Sequence, residues 1–225
     1  MRKITTVFIL LSCGIFLGVG TASAALTEIL PGSETPLLGD DNILDTLYGM
    51  GNLQRVDDDT GQEQIWFPAN GRATAKAKYA GKTQDFGYIA DKGAAGFDDD
   101  SFVSLFTVSG GIYSMGLSGP SAVLNEGNVP FLWALRPEGS SEPWTSLPSQ
   151  NDDGLDHMVT WKVVGTPHTW VIAWEDLPAD AGKFDADYND LVLEVTVSPV
   201  PIPPAILLLG SGLVAMIGVR RRFRS

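Results

Sequence analysis

Cysteine is almost missing from this chain: Cys13 is the only one among 225 residues. It sits in an apolar stretch, Ile4 to Gly20, that follows Arg2 and Lys3 and leads to Ala22-Ser23-Ala24, the pattern of a secretory signal peptide over residues 1–24. Leu10-Leu11-Ser12-Cys13 resembles a lipobox only loosely, because Leu11 fits poorly and the apolar run continues past the cysteine. Cleavage after Ala24 leaves an exported protein without a thiol, which excludes disulfides as a source of stability. Histidine is nearly as scarce. His157 and His168 are the only two, with neither HxxxH nor HExxH spacing, so a histidine-ligated zinc hydrolase is excluded.

Positive charge is short as well: 15 lysines and arginines stand against 27 acidic residues. All 27 lie between residues 25 and 198 with only nine of the basic ones, a net charge of −18 for that region. Such a region repels nucleic acid and anionic membranes and attracts cations. A nucleophilic serine elbow, a Ser/His/Asp arrangement and a phosphate-cradling glycine loop are not visible.

The carboxyl end departs from this composition. Pro199-Val200-Pro201-Ile202-Pro203-Pro204 precedes an apolar run from Ala205 to Val219, and Arg220-Arg221-Arg222 and Arg224 follow it. Fifteen residues at 1.5 Å each span about 22 Å, a marginal crossing of a hydrocarbon core roughly 30 Å thick. The arginines are expected to stay cytoplasmic, which places everything upstream on the outer side.

Between the two ends, residues 25–198 are long enough for one globular domain. Helical periodicity is scarce and period-two alternation dominates, so the expected fold is all-β, an antiparallel β-sandwich or jelly-roll-like single domain. Strands are expected at 72–79, 102–108, 111–117, 131–135, 157–164, 169–174 and 191–197. The last is the clearest, with Leu191, Leu193, Val195 and Val197 on one face. Asn42 to Tyr48 reads as the one short helix, with Asp40 and Asp41 as N-cap candidates and Gly49 and Gly51 as stops.

The strands at 169–174 and 191–197 are expected to pair as a hairpin, and the loop joining them carries the densest acidity. Asp185, Asp187 and Asn189 have DxDxN spacing, in which alternate residues of a tight turn aim oxygens at one point. Glu175 and Asp176 at one root of the hairpin and Asp190 at the other complete a six-residue candidate metal site. Calcium is the expected ion, because a hard cation takes six to eight oxygen ligands. The loop is not an EF-hand: Asp190 and Thr196 replace the required glycine and glutamate, and the flanks read as strands. Asp and Asn also form good turns without an ion, but so many close carboxylates repel one another unless something neutralises them.

Two resemblances follow from these residues. Glu175-Asp176 after Trp174, then Asp185-x-Asp187-Tyr188-Asn189-Asp190-Leu191-Val192, resembles the hallmark of a bacterial exported domain family classed as a domain of unknown function, and Asp156-His157 resembles a pair its members place one strand earlier. The similarity is strongest from Asp152 to Val197, and it implies a fold type and an acidic site more than an activity. The tail, with Val200-Pro201-Ile202-Pro203, the apolar span and the arginine cluster, resembles a PEP-CTERM sorting signal in its VPxP variant, over residues 199–225. That resemblance implies a Gram-negative host, an exosortase-type sorting protease as partner, an inner-membrane-anchored intermediate, a final place at the cell surface or outside the cell, and exopolysaccharide as a matrix neighbour.

Other residues are weighed against plainer roles. Asp57-Asp58-Asp59 and Asp98-Asp99-Asp100 could each serve a second ion, though such runs are more often solvated turns. His157 is expected to face the core with Asp156 or the acidic loop as partner, and His168 to be exposed. Trp161, Trp170 and Trp174 read as core, whereas Trp66 and Trp144, beside Pro68 and Pro143, are the candidate sugar-stacking platforms. The expected function is a surface or matrix structural or binding protein with a calcium-stabilised loop, not an enzyme. The alternatives are a lectin-like carbohydrate-binding module and a glycoside hydrolase using Glu175, Asp176 and Asp190.

Overall fold

The computed structural model describes residues 26–32, 35–39, 42–58, 63–67, 71–93, 96–109, 119–124, 129–179 and 184–199. The signal peptide, nearly all of the sorting tail and the strand expected at 111–117 lie outside the described residues. Among them, no helix is long and apolar enough to cross a membrane. The chain is all-β with almost no helix. Its strands are β1 (Leu53–Arg55), β2 (Trp66–Phe67), β3 (Gly71–Ala77), β4 (Gln84–Ala90), β5 (Phe102–Val108), β6 (Ser121–Leu124), β7 (Phe131–Pro137), β8 (Trp144–Thr145), β9 (Met158–Val163), β10 (Thr169–Trp174), β11 (Leu191–Thr196) and β12 (Ser198–Pro199).

Two antiparallel sheets form a sandwich. One has the order β1-β9-β10-β11-β3-β6, and the other β12-β2-β7-β4-β5 with β8 beside β7. The expected hairpin is present, in register from Thr169 opposite Thr196 to Trp174 opposite Leu191. Alternation decides which side chains meet the other sheet. Trp170, Ile172 and Trp174 of β10 and Leu191, Leu193 and Val195 of β11 turn inward onto Trp66, Phe86 and Trp133 of the facing sheet. Trp66 meets Trp170 edge to face at 5.7 Å, an arrangement that favours aromatic pairs beyond the area they bury.

The outward residues of the first sheet are buried too. Val159, Trp161, Val171, Ala173 and Val192 pack under Leu37, Ile43 and Leu44, the last two from helix α1 (Ile43–Tyr48). The helix begins one residue after its expected cap region: the N-cap is Asn42, whose side chain accepts from the Asp45 amide, rather than Asp40 or Asp41. Gly49 ends it at φ 76°, in the left-handed region that glycine tolerates. A register shift between Val192 and Leu193 on the β11–β3 pairing leaves Lys76 unopposed. Beyond that bulge the small β3 residues change sides, Ala73 and Ala75 facing the inner core and Ala77 the outer one.

Strand β4, which had no alternation to mark it, runs between β7 and β5. Phe86 and Tyr88 enter the inner core while Ile89 joins an outer cluster with Leu132 and Ala134. A Cβ on its Gly87 would lie 2.0 Å from the Val103 carbonyl oxygen, so only glycine admits β5 at this distance.

One of the two tryptophan platforms requires correction. Trp66 is fully buried on β2 between the sheets. Trp144 is partly buried on β8, its indole face 3.9 Å from the His157 ring and parallel to it. Trp66 therefore presents no ring face to solvent, whereas Trp144 has one face covered by His157 and lines a cavity with Pro143 and Asp153. Trp161, Trp170 and Trp174 are buried as expected, and His168 lies exposed in a turn.

Candidate metal centre

Pairing β10 with β11 places Glu175 and Asp176 at the end of one strand beside Asp190 at the start of the next, so the loop between them closes at its roots. Glu175, Asp176 and Asp190 offer oxygens all within 4.8 Å of one another, and so do Glu175, Asp185 and Asp187. Two oxygens bound to one calcium ion at about 2.4 Å each lie no farther apart than about 4.8 Å, so either trio fits around a hard cation. Glu175 belongs to both. Glu175, Asp176, Asp187 and Asn189 are buried, and Asp185 is exposed.

The loop adopts costly backbone to reach this arrangement. Ala186 and Tyr188, either side of Asp187, have φ values of 56° and 52°, a left-handed conformation that costs a non-glycine residue about 1–2 kcal/mol. Several contacts hold it. The Leu30 amide donates to the Ala186 carbonyl at 2.9 Å, and the Tyr188 hydroxyl donates to the Asp156 carbonyl at 2.7 Å. Asn189 acts as a clamp: its side-chain amide donates to Asp187 Oδ2 at 2.8 Å and to the Thr35 carbonyl at 3.1 Å, and its backbone amide donates to Asp187 Oδ1. Asn189 therefore orients Asp187.

The N-terminal segment covers the loop. A Cβ on Gly32 would fall 1.8 Å from Asp187 Oδ2, so this position must be glycine for the two to meet. Nothing in the sequence around Gly32 marks this contact, because it joins residues 155 positions apart.

Beneath the loop, His157 ties its root to the sandwich. The ring Nδ1 lies 2.9 Å from the Glu175 carbonyl and Nε2 3.1 Å from Asp153, while the Glu175 amide donates to the His157 carbonyl at 3.0 Å. His157 is fully buried, as expected, and its side-chain partners are the loop backbone and Asp153 rather than the Asp156 carboxylate. Burial alone works to raise the Asp153 pKa, but donors at Leu155, Ala179 and His157 outweigh it and lower it. Trp144 donates to the Asp176 carbonyl at 3.2 Å, and Gln84 to its carboxylate at 2.9 Å.

Few donors face these carboxylates. Asp190 accepts from the Asp176 amide at 2.7 Å and Glu175 Oε1 from the Leu177 amide at 3.0 Å, but Glu175 Oε2 is buried without a hydrogen bond. Burial first, and then the charges of Asp190 and Asp185, push the Glu175 pKa far up. Burial and the Asp176 charge raise that of Asp190 likewise. Burial without a counter-charge favours the protonated forms of Glu175 and Asp190, and a positive charge beside them would favour ionisation.

A third trio, not anticipated as a unit, comprises Asp58, Glu63 and Asp156. Asp57-Asp58-Asp59 was visible as an acidic run, but Glu63 carried no local signal. Burial pushes the Asp156 pKa up to about 6, against hydrogen bonds from Thr27 and Met158. That of Glu63 is raised well above its ordinary range by burial and by the charges of Asp156 and Asp58. Asp98-Asp99-Asp100 joins no such group among the described residues. There Asp98 caps a 3-10 turn, accepting from the Asp100 amide at 3.2 Å, and pairs with Lys92 at 3.5 Å.

The strands and loop that build this site belong to a stretch with known relatives. Residues 97–198 match the model of a domain of unknown function, DUF4114. The match starts just before β5 and ends in β12, so it includes the whole acidic loop, while β1–β4 lie upstream of it. No curated protein matches the chain. Among solved structures, the C-terminal domain of the BC2L-C lectin from Burkholderia cenocepacia aligns over 59% of this chain and 93% of that one, at 14% identity and a TM-score of 0.35.

Proposed function

We propose that the β10–β11 loop holds hard divalent cations, calcium foremost, and that the ion fixes this end of an exported surface or matrix protein in its binding-competent shape. One observation carries the reading: Glu175 is fully buried, shared by two carboxylate trios, and keeps an oxygen without a hydrogen bond. Ionised carboxylates so placed are unfavourable without a cation, and each supplies the oxygen donors that calcium prefers. Extracellular calcium suits the weak affinities of such sites, and its binding adds stability to a domain lacking disulfides. Export and sorting are proposed from the two terminal sequence patterns, with an exosortase-type protease acting on the tail. Catalysis has no part in the proposal.

A carbohydrate-binding role is the second reading, and it does not rest on Trp66, which is buried. Because Asp185 is exposed, an ion held by Glu175, Asp185 and Asp187 would lie nearer the surface than one held by Glu175, Asp176 and Asp190. Neighbouring hydroxyls of a sugar are suited to fill coordination positions that the protein leaves open. Calcium titration followed by the melting temperature tests the first reading: a rise that shrinks in Asp187→Ala supports it, and a melt indifferent to calcium and chelator removes it. Calorimetry with exopolysaccharide tests the second, which requires binding that is lost in chelator.

A further inference from the structure

We propose that Asp58, Glu63 and Asp156 form a separate cation site, which takes a hard divalent ion of the calcium type. Three regions converge there: Asp58 follows β1, Glu63 precedes β2, and Asp156 precedes β9. One oxygen from each lies within 4.8 Å of the others. The case rests on Glu63 more than on the count of acids. Its side chain is 0% exposed, and neither carboxylate oxygen makes a hydrogen bond. The Thr160 hydroxyl lies close enough to pull its pKa down, yet it too makes no hydrogen bond. A buried carboxylate with both oxygens unpartnered is costly unless something positive lies between it and its neighbours.

The surroundings divide the remaining lone pairs in a way that leaves room for an ion. Asp58 Oδ2 receives Arg55 at 2.7 Å and the Thr27 amide, while its Oδ1 is buried and unpartnered. Asp156 accepts from the Thr27 hydroxyl at 2.7 Å and the Met158 amide at 3.1 Å, each oxygen keeping a further lone pair. One guanidinium thus answers three carboxylates, and a divalent ion would balance the rest. A cavity of about 450 Å³ lined in part by Asp58, Asp156, Thr27 and Tyr188 gives an entry path. The ion would fasten the N-terminal segment and the β1–β2 connection to the start of β9. It would also buttress Tyr188, whose hydroxyl is already bonded to the Asp156 carbonyl.

The test is calcium binding to the whole chain, stripped with chelator and titrated at pH 8 by calorimetry, with terbium luminescence as a second probe. Glu63→Gln is expected to lower the number of bound calcium ions by one. Asp187→Ala should leave the ion at this site in place, and the double variant should lose both classes. If Glu63→Gln binds as many ions as the unsubstituted chain, Glu63 is simply a protonated core residue and the proposal is overturned. If Asp187→Ala costs no calcium while Glu63→Gln costs one, the loop reading fails and this site stands. Should Glu63→Gln not fold by circular dichroism, crystals of the unsubstituted chain soaked in saturating manganese decide: an anomalous peak among the three carboxylates supports the site, and its absence overturns it.

Discussion

Two acidic turns of this molecule have similar composition and opposite character. Asp98-Asp99-Asp100 lies at the surface, where Asp98 satisfies a turn amide and a lysine and is about half exposed. The loop from Glu175 to Asp190 folds its acids inward, so that Glu175, Asp176 and Asp187 are buried and one Glu175 oxygen is left without a donor. Density of negative charge therefore does not distinguish a cation site from a solvated turn. Depth of burial does: Glu175 and Asp187 are closed from water, which no longer screens the repulsion, whereas Asp99 keeps an unpartnered oxygen on a side chain that stays partly exposed.

That contrast can be broken by experiment, and the largest expected effect is calcium removal. At a hundred times Kd, an ion that binds only the folded state adds about 2.7 kcal/mol, which for a domain of this size raises Tm by roughly 5–10 °C. Differential scanning calorimetry with and without chelator measures this, and Asp187→Ala should remove the loop's share of the increment, leaving what the site at Asp58, Glu63 and Asp156 contributes. Gly32→Ala comes next. The new methyl collides with Asp187 Oδ2, and a displaced ligand is expected to weaken calcium about tenfold, or about 1.4 kcal/mol, read by titration of the variant.

A third expectation concerns pH. The raised pKa values of Glu175, Asp190 and Asp156 mean that the ion-free folded state binds more protons than the unfolded one. Stability from these groups is thus complete below about pH 4 and declines as pH rises, through about 6 for Asp156 and higher for the other two. In chelator, Tm should fall from pH 5 to pH 8, while the calcium increment grows over the same range because protons compete with the ion. Glu175→Gln should reverse the pattern, being neutral or stabilising in chelator at pH 8 yet lacking the loop's share of the calcium response. The smallest effect is expected for Asp98→Asn, which should leave the calcium increment unchanged; a loss there would erase the distinction between the turns.

How far the sequence could be read depended on whether the deciding contacts were local. Strands β10 and β11 were legible because their inward residues alternate, and the hairpin between them followed from adjacency. Strand β4 was not, since Phe86, Tyr88 and Ile89 bury opposite faces and Gly87 interrupts the pattern. Trp66 was misplaced because a neighbouring proline suggested an exposed turn, whereas β2 carries its ring between the sheets. The loop acids were legible as a cluster from DxDxN spacing and the hairpin roots. The segment that covers them was not, for Gly32 and Thr35 reach Asp187 and Asn189 from the far end of the chain. Glu63 was invisible for the same reason, its meaning arising only when β9 brings Asp156 beside it.

The most direct measurement is an anomalous difference map from crystals grown in millimolar calcium. The expected result is a peak about 2.3–2.6 Å from carboxylate oxygens of Glu175 and its neighbours Asp185 and Asp187 or Asp176 and Asp190. A well-ordered loop holding nothing heavier than water under those conditions would contradict the account.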